Sequence, residues 1–329
     1  MQQTLIVGVD VSKSTLDICF KPSGLTTRIS NETIGFNQWY KQLKPLCPGF
    51  QAVMVIMEHT GHYSLRFEKF LRSKNIDYCK VPALQIKRSL GITRGKTDKL
   101  DAERIADYGW LRRDILTADA EVLQEIRQLE MLISLRQKIV RDRSGYMSRV
   151  KSMKATGMCG SSNSLVKMQQ DIIRSLTTKI KTIETEIKSV INSNAKLANT
   201  CRLLMSIKGV GLIVGAYMIS CTRNFTRFNN FRKFNCYAGL APFKHESGSS
   251  IKARSRISHL ANKQAKTLLN LSASCSIRCD REMKQYYQKR VAEGKRKMSC
   301  LNIIRSKIVS RMFAVVKRQT PYRELLIAA

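Results

Sequence analysis

Leu5-Ile6-Val7-Gly8-Val9-Asp10-Val11 is the stretch that decides the fold of this chain. A short apolar run in which most residues are β-branched reads as a buried strand, and the lone carboxylate, Asp10, falls at its end. Working outward, Thr15 to Phe20 and Thr26 to Ser30 read as antiparallel partners, separated by the turn-prone Lys21-Pro22-Ser23-Gly24. A helix bearing Phe36, Trp39, Tyr40 and Leu43 follows, then a second buried strand, Ala52 to Glu58, and a helix from about Ser64 to Arg72. Asp77 to Val81 is a further short strand, and Thr97 to Leu111 reads as a helix with Thr97 as its N-cap.

A three-stranded meander followed by alternating helices and strands predicts an α/β domain of ribonuclease-H type over residues 1–120. Its acids fall at informative places. Asp10 and Glu58 end the two core strands, and Asp98 and Asp101 stand three apart, on one face of a helix. Carboxylates at strand C-termini beside a helix-borne pair can converge on one crevice, the usual site in open α/β sheets. Crowded carboxylates repel unless divalent cations neutralise them, and oxygen-only ligation suits Mg²⁺ or Mn²⁺. Two such ions can clamp a phosphodiester and stabilise its entering and leaving oxygens. Read singly, Asp98 is also explained as a first-turn helix charge and Asp10 as a turn residue.

The chain of 329 residues carries 58 Lys+Arg against 24 Asp+Glu, a formal net charge of +34 that calls for a polyanionic partner, nucleic acid in the usual case. With 43% hydrophobic residues it can build cores, so it is not a disordered basic tail. The longest nearly apolar stretch, Gly209 to Ser220, is too short to span a bilayer, and the N-terminus lacks the pattern of a signal peptide, which predicts a cytoplasmic protein. The ten cysteines are scattered and read as reduced thiols.

Residues 121–200 lack proline and predict a helical segment. Ile173, Leu176, Ile180, Ile183, Ile187 and Val190 keep a heptad seam, and Leu129, Leu132, Leu135 and Ile139 give a shorter stripe before the small polar patch Gly157–Asn163. An antiparallel or intermolecular coiled coil, or an ordinary helical hairpin, satisfies that pattern.

Residues 201–329 form a mainly α, basic domain holding a net charge of +21. Lys208-Gly209-Val210-Gly211, followed by a small-residue helix, fits a helix-hairpin-helix turn whose glycines let backbone N–H groups approach a phosphate, or a plain tight turn between helices. After Tyr237-Ala238-Gly239-Leu240-Ala241-Pro242 comes Ser247-Gly248-Ser249-Ser250, flanked by Lys244, Lys252, Arg254 and Arg256. A serine so placed can attack phosphorus and store the bond energy as a phosphoserine, although by composition the loop is also an ordinary flexible linker. Lys263, Arg281, Lys284 and Arg290, with Tyr286 and Tyr287 among them, suit nucleic-acid backbone and base stacking.

The order Asp10, Glu58, Asp98, Asp101, set in G-V-D-V-S-K, E-H-T-G and K-T-D-K-L-D-A, resembles the DEDD transposases of insertion-sequence family 110/1111, including the Piv-type invertases. The resemblance covers essentially the whole chain. It implies an N-terminal domain similar to the Holliday-junction resolvase RuvC, Ser247 as the nucleophile, and a bacterial, nucleoid-associated enzyme that cuts and rejoins donor and target DNA. It also implies a structured guide (bridge) RNA and a homo-oligomer, a dimer at least and a tetramer in the synaptic complex, in which the acids and the serine can come from different protomers. Two other readings compete with it: a metal-dependent nuclease or resolvase that uses the acids alone, and a non-catalytic basic protein that binds nucleic acid.

Overall fold

The computed structural model describes residues 4–48, 50, 52–59, 61–89, 91, 95, 97–157, 160, 163–247 and 251–323, with residues 244–247 and 251–256 described by their backbone. The chain divides into two compact units, Met1–Glu121 and Val122–Ala329.

The first unit is built on a five-stranded sheet of order β3-β2-β1-β4-β5. Its elements in chain order are β1 (Thr4–Val11), β2 (Thr15–Lys21), β3 (Thr26–Ser30), α1 (Thr33–Leu43), β4 (Ala52–Glu58), α2 (Leu65–Ser73), β5 (Asp77–Val81), α3 (Ala83–Ser89) and α4 (Asp98–Leu111). The first three strands form the expected antiparallel meander, and β4 and β5 add in parallel beyond β1.

The apolar run of β1 hides a two-sided division of labour, because successive side chains of a strand point to opposite faces. Leu5, Val7, Val9 and Val11 join Leu16, Ile18, Phe20, Val55 and Met57 in a core covered by Phe36 and Trp39 of α1 and Phe67 and Leu71 of α2. Ile6 and Ile56 lie on the other face, in a smaller core with Ile86 of α3 and Ile105 and Tyr108 of α4. By the same alternation Gly8 and Asp10 on β1, Asp17 on β2, Arg28 on β3 and Glu58 on β4 belong to the face that α4 covers.

The second unit begins with α5 (Gln124–Ala155) and α6 (Ser164–Asn192). The pairs Arg136–Glu184, Arg143–Thr177 and Met153–Gln169 show that the two helices run antiparallel within one chain, as a hairpin. The seam expected on α6 is half-buried at Ile173 and Leu176 and buried at Ile180, Ile183, Ile187 and Val190. The stripe expected on α5 departs from the sequence reading. The departure is at Leu135, which is 48% exposed; Leu129 is buried and Leu132 and Ile139 are half-buried against the same core, and the buried positions are Ile126, Leu129, Ile133 and Val150, because a spacing of three then four keeps one face of an α-helix toward its neighbour.

The remaining elements are α7 (Ala195–Met205), α8 (Leu212–Cys221), α9 (Phe231–Tyr237), β6 (Phe243–Ser247), β7 (Ile251–Arg256), α10 (Lys263–Cys279), α11 (Arg281–Ala292) and α12 (Lys297–Arg318). One core joins the hairpin to these helices, with Ile126, Ile187, Leu204, Ile219, Phe234, Leu269 and Ile308 among its members. Among the described residues no helix is long and apolar enough to cross a membrane.

Candidate functional site

The acid site begins at the ends of two adjacent parallel strands. Val9 of β1 is in register with Met57 of β4, so Asp10 and Glu58, each one residue further, end side by side on the α4 face. Helix α4 starts where expected: the Thr97 hydroxyl oxygen accepts a hydrogen bond from the Leu100 N–H at 3.3 Å. Asp98 and Asp101 then occupy its first turn, where the helix dipole favours negative charge.

Two glycines set the line of this helix. A Cβ on Gly8 would lie 2.3 Å from the backbone N of Ala106 and 2.6 Å from the carbonyl O of Ala102, so α4 rests its own backbone on β1. A Cβ on Gly109 would meet Ile56 and Ile6 at 2.7 and 2.8 Å. The C-terminal end of α4 therefore lies over Ile6, its middle over Gly8, and its acidic first turn comes toward Asp10.

The electrostatics agree with this placement. Partial burial, and then the charges of Asp101, Asp98, Glu58 and Asp17, push the Asp10 carboxyl up to about 6. Two arginines answer part of the negative charge. Arg28 donates to Asp17 at 2.8 Å and to Asp98 at 3.4 Å, and Arg104 donates to Asp101 at 2.8 Å and to the Gly95 carbonyl at 2.9 Å. Among the described residues no three His, Cys, Asp or Glu side chains are drawn together as a ready-made metal cage. The donor set still fits a hard divalent cation: it is carboxylate oxygen throughout, its members repel one another, and positive countercharge would relieve Asp10.

In the second unit, Ser247 is the last residue of β6 and pairs in register with Ile251 of β7. Lys244 lies on β6 and Lys252, Arg254 and Arg256 on β7, while Ser249 and Ser250 fall outside the described residues. The base of this β-hairpin is tied to the helices around it. The Asn262 backbone N–H donates to the Tyr237 carbonyl at 2.8 Å, its side-chain amide donates to the Tyr237 hydroxyl at 2.7 Å, and its Oδ1 accepts from the Tyr217 hydroxyl at 3.0 Å. Lys208, Lys263, Arg281 and Lys284 are exposed, and Arg290 is engaged by Glu293 at 2.8 Å and by the Tyr286 hydroxyl at 3.2 Å. Gly209, at φ +92°, is packed on α10: a Cβ there would lie 2.7 Å from the Ser272 carbonyl O, and the Ser276 hydroxyl donates to the Lys208 carbonyl at 2.6 Å. Gly211, by contrast, caps the N-terminus of α8 with open space around it.

Comparison with known proteins places both units in one family. A family model for DEDD transposases of the IS110 type matches residues 7–153, and one described as the transposase IS116/IS110/IS902 family matches residues 201–288. The chain belongs to the IS110 family of transposases. It is similar to the pilin gene-inverting proteins of Moraxella bovis and Moraxella lacunata, each 26% identical over 96% of this chain and 97% of the relative. An insertion element IS900 protein of 42 kDa from Mycobacterium paratuberculosis is 21% identical over 91% of each chain. Among solved structures, T. thermophilus RuvC in complex with a Holliday junction substrate matches 36% of this chain and 99% of its own at 10% identity, with a TM-score of 0.27.

In this transposase several residues around the acids carry no motif of their own. Gly8 opens the G-V-D-V-S-K stretch around Asp10 and Gly109 stands in no motif, and the meaning of both comes from the helix and strand they bring together. Asn31 is buried, and its side-chain amide donates to the carbonyls of Ser12 at 2.9 Å and Tyr63 at 3.1 Å, so it ties the loop after Asp10 to the loop after Glu58. Both partners are acceptors, which fixes the amide's orientation and leaves its Oδ1 without a hydrogen-bond partner among the described residues. Glu68, fully buried, accepts from the Ser64 hydroxyl and from the Lys80 ammonium, each at 2.8 Å, and so fastens the start of α2 to β5.

Proposed function

We propose that this transposase cuts and rejoins DNA through a serine nucleophile served by a divalent-metal carboxylate site. The observation that supports it most is the laying of α4 on Gly8, which brings Asp98 and Asp101 toward Asp10 and Glu58 at the ends of adjacent strands. These four residues hold Mg²⁺ (or Mn²⁺), which when bound neutralises the acids and stabilises negative charge developing on the phosphodiester.

The Ser247 hydroxyl attacks the scissile phosphorus. A bond from Oγ to phosphorus forms, the bond from phosphorus to one sugar oxygen breaks, and the serine proton leaves as that oxygen gains one. The phosphoserine conserves the energy of the broken bond, and a hydroxyl from the partner strand reverses the step to rejoin. Lys244, Lys252, Arg254 and Arg256 neutralise the DNA backbone around the serine. Lys208, Lys263, Arg281, Lys284 and Arg290 extend the basic surface, each contact steepening the fall of affinity as salt rises, and Gly211, with open space around it, leaves the N-terminus of α8 accessible to a phosphate, whereas Gly209 is packed against α10. The charge of this unit exceeds what one duplex needs and suits a structured guide RNA beside donor and target DNA. Joining two DNA sites requires a homo-oligomer, a dimer at least and a tetramer in the synaptic complex.

The test uses labelled DNA carrying the ends of the element, Mg²⁺, and any RNA that copurifies with the chain. The wild type forms a denaturant-resistant protein–DNA adduct, Ser247→Ala forms none, and Asp10→Asn neither cuts nor forms it. Cutting by Ser247→Ala without an adduct would instead identify a metal-dependent nuclease, and recombination by Asp10→Asn would identify a protein whose acids are not catalytic.

A further inference from the structure

Arg28 has a position that the four acids alone do not explain. Asp10 of β1 is in register with Asp17 of β2, and Asp17 with Arg28 of β3, so the three form a row across adjacent strands, about 4.8 Å apart, on the face covered by α4. The two ends of the guanidinium are held unequally. Its Nε donates to Asp17 Oδ1 at 2.8 Å, and that carboxylate is buried, with its side chain 8% exposed. Its Nη2 reaches Asp98 Oδ2 at 3.4 Å, where the carboxylate is 63% exposed. Asp17 is thus the anchor, and Asp98 the partner more easily given up. Arg104 differs, since its partner Asp101 lies on its own helix and it is held again by the Gly95 carbonyl.

Resting on the metal reading above, we propose that Arg28 is a counter-ion that yields Asp98 to the incoming divalent cation and then, still anchored on Asp17, turns its freed Nη groups to a non-bridging oxygen of the DNA phosphate. A carboxylate cannot serve a guanidinium and a metal equally well, so cation binding releases this one end. A guanidinium cannot be neutralised by losing a proton, and its planar fork matches phosphate geometry, so the released end carries its full charge to the substrate. No bond is made or broken in the exchange. The repulsion among the acids would then be partly relieved before the metal arrives, and a phosphate contact supplied after it, by one side chain.

The exchange predicts opposite signs in two measurements. The metal-free, DNA-free chain is titrated with Mn²⁺, followed by electron paramagnetic resonance, for the wild type, Arg28→Ala, Arg28→Lys and Asp10→Asn. Arg28→Ala binds Mn²⁺ more tightly, by up to about five-fold, as expected when one exposed ion pair that competes for Asp98 is removed. The same variant, at saturating Mn²⁺ and DNA, cleaves at least about ten-fold more slowly, as expected when one charge-assisted contact to the reacting phosphate is lost. Arg28→Lys, which keeps the charge without the fork, restores part of the cleavage. Weaker Mn²⁺ binding by Arg28→Ala would make Arg28 a mere prop of the site, and unchanged cleavage would remove the phosphate contact; either result overturns the proposal. Equal Mn²⁺ binding by the wild type and Asp10→Asn would overturn the metal reading itself, whatever Arg28 does.

Discussion

Gly8→Ala is the sharpest perturbation of the acid site because it adds one methyl group and touches no acid. That methyl would stand 2.3 Å from the Ala106 backbone N, where ordinary contact begins at 3.4 Å, so strand and helix must part by about 1 Å. The neighbour is helix backbone and cannot rotate away. The displacement passes to Asp98 and Asp101 at the head of the same helix, while Asp10 and Glu58 stay with the sheet. Overpacking of this kind costs about 1–3 kcal/mol. In a unit of this size it lowers the melting temperature by roughly 3–6 °C per kcal/mol. A misplacement of about 1 Å in a catalytic constellation costs on the order of a hundred-fold in rate. Single-turnover DNA cleavage at 25 °C, where the variant is still folded, reads the second effect apart from the first. Gly145→Ala, inside α5 and with open space around the added methyl, is the matched control. Wild-type cleavage by Gly8→Ala would refute the claim that the contact of α4 with β1 positions the acids.

Other outcomes follow from the same geometry. Asp10 is raised from 3.8 to about 6, so its ionisation above that pH costs the folded state more than the unfolded one. In a chelator, Asp10→Asn therefore melts above the wild type at pH 8, and the difference fades as pH falls through 6 and is gone below about 4. Asn31→Asp places a carboxylate oxygen against the carbonyls of Ser12 and Tyr63, so it lowers the melting temperature and weakens Mn²⁺ binding together, as read by calorimetry. Gly209→Ala, at φ +92° and against the Ser272 carbonyl, destabilises the second unit by more than about 1 kcal/mol in denaturant melts, whereas Gly145→Ala, helical and in open space, does not destabilise it.

Much of the first unit is legible in sequence because its signals are local. The apolar runs LIVGVDV and AVMVIME, the turn between the meander strands and the Thr97 cap each act over a few residues, and the sheet and α4 follow from them. What escapes is whatever depends on which face a side chain takes or on a partner far along the chain. The run Leu5 to Val9 is apolar on both faces, so its alternation is invisible until α4 is seen resting on Gly8. Arg28 and Asn31 act on residues of other elements, and neither has a spacing that announces it. On α5 the choice of Leu135 followed a regular leucine spacing, whereas the packing selects Ile133. Gly209 reads as a glycine that clears the way for a phosphate, yet its own clearance is taken by α10.

The central claim is that Asp10, Glu58, Asp98 and Asp101 hold a divalent cation. Anomalous diffraction from crystals of the chain soaked in Mn²⁺ tests it directly. The account predicts anomalous density among these four carboxylates, with Arg28 withdrawn from Asp98. Anomalous density elsewhere on the chain with none among the four acids would contradict it.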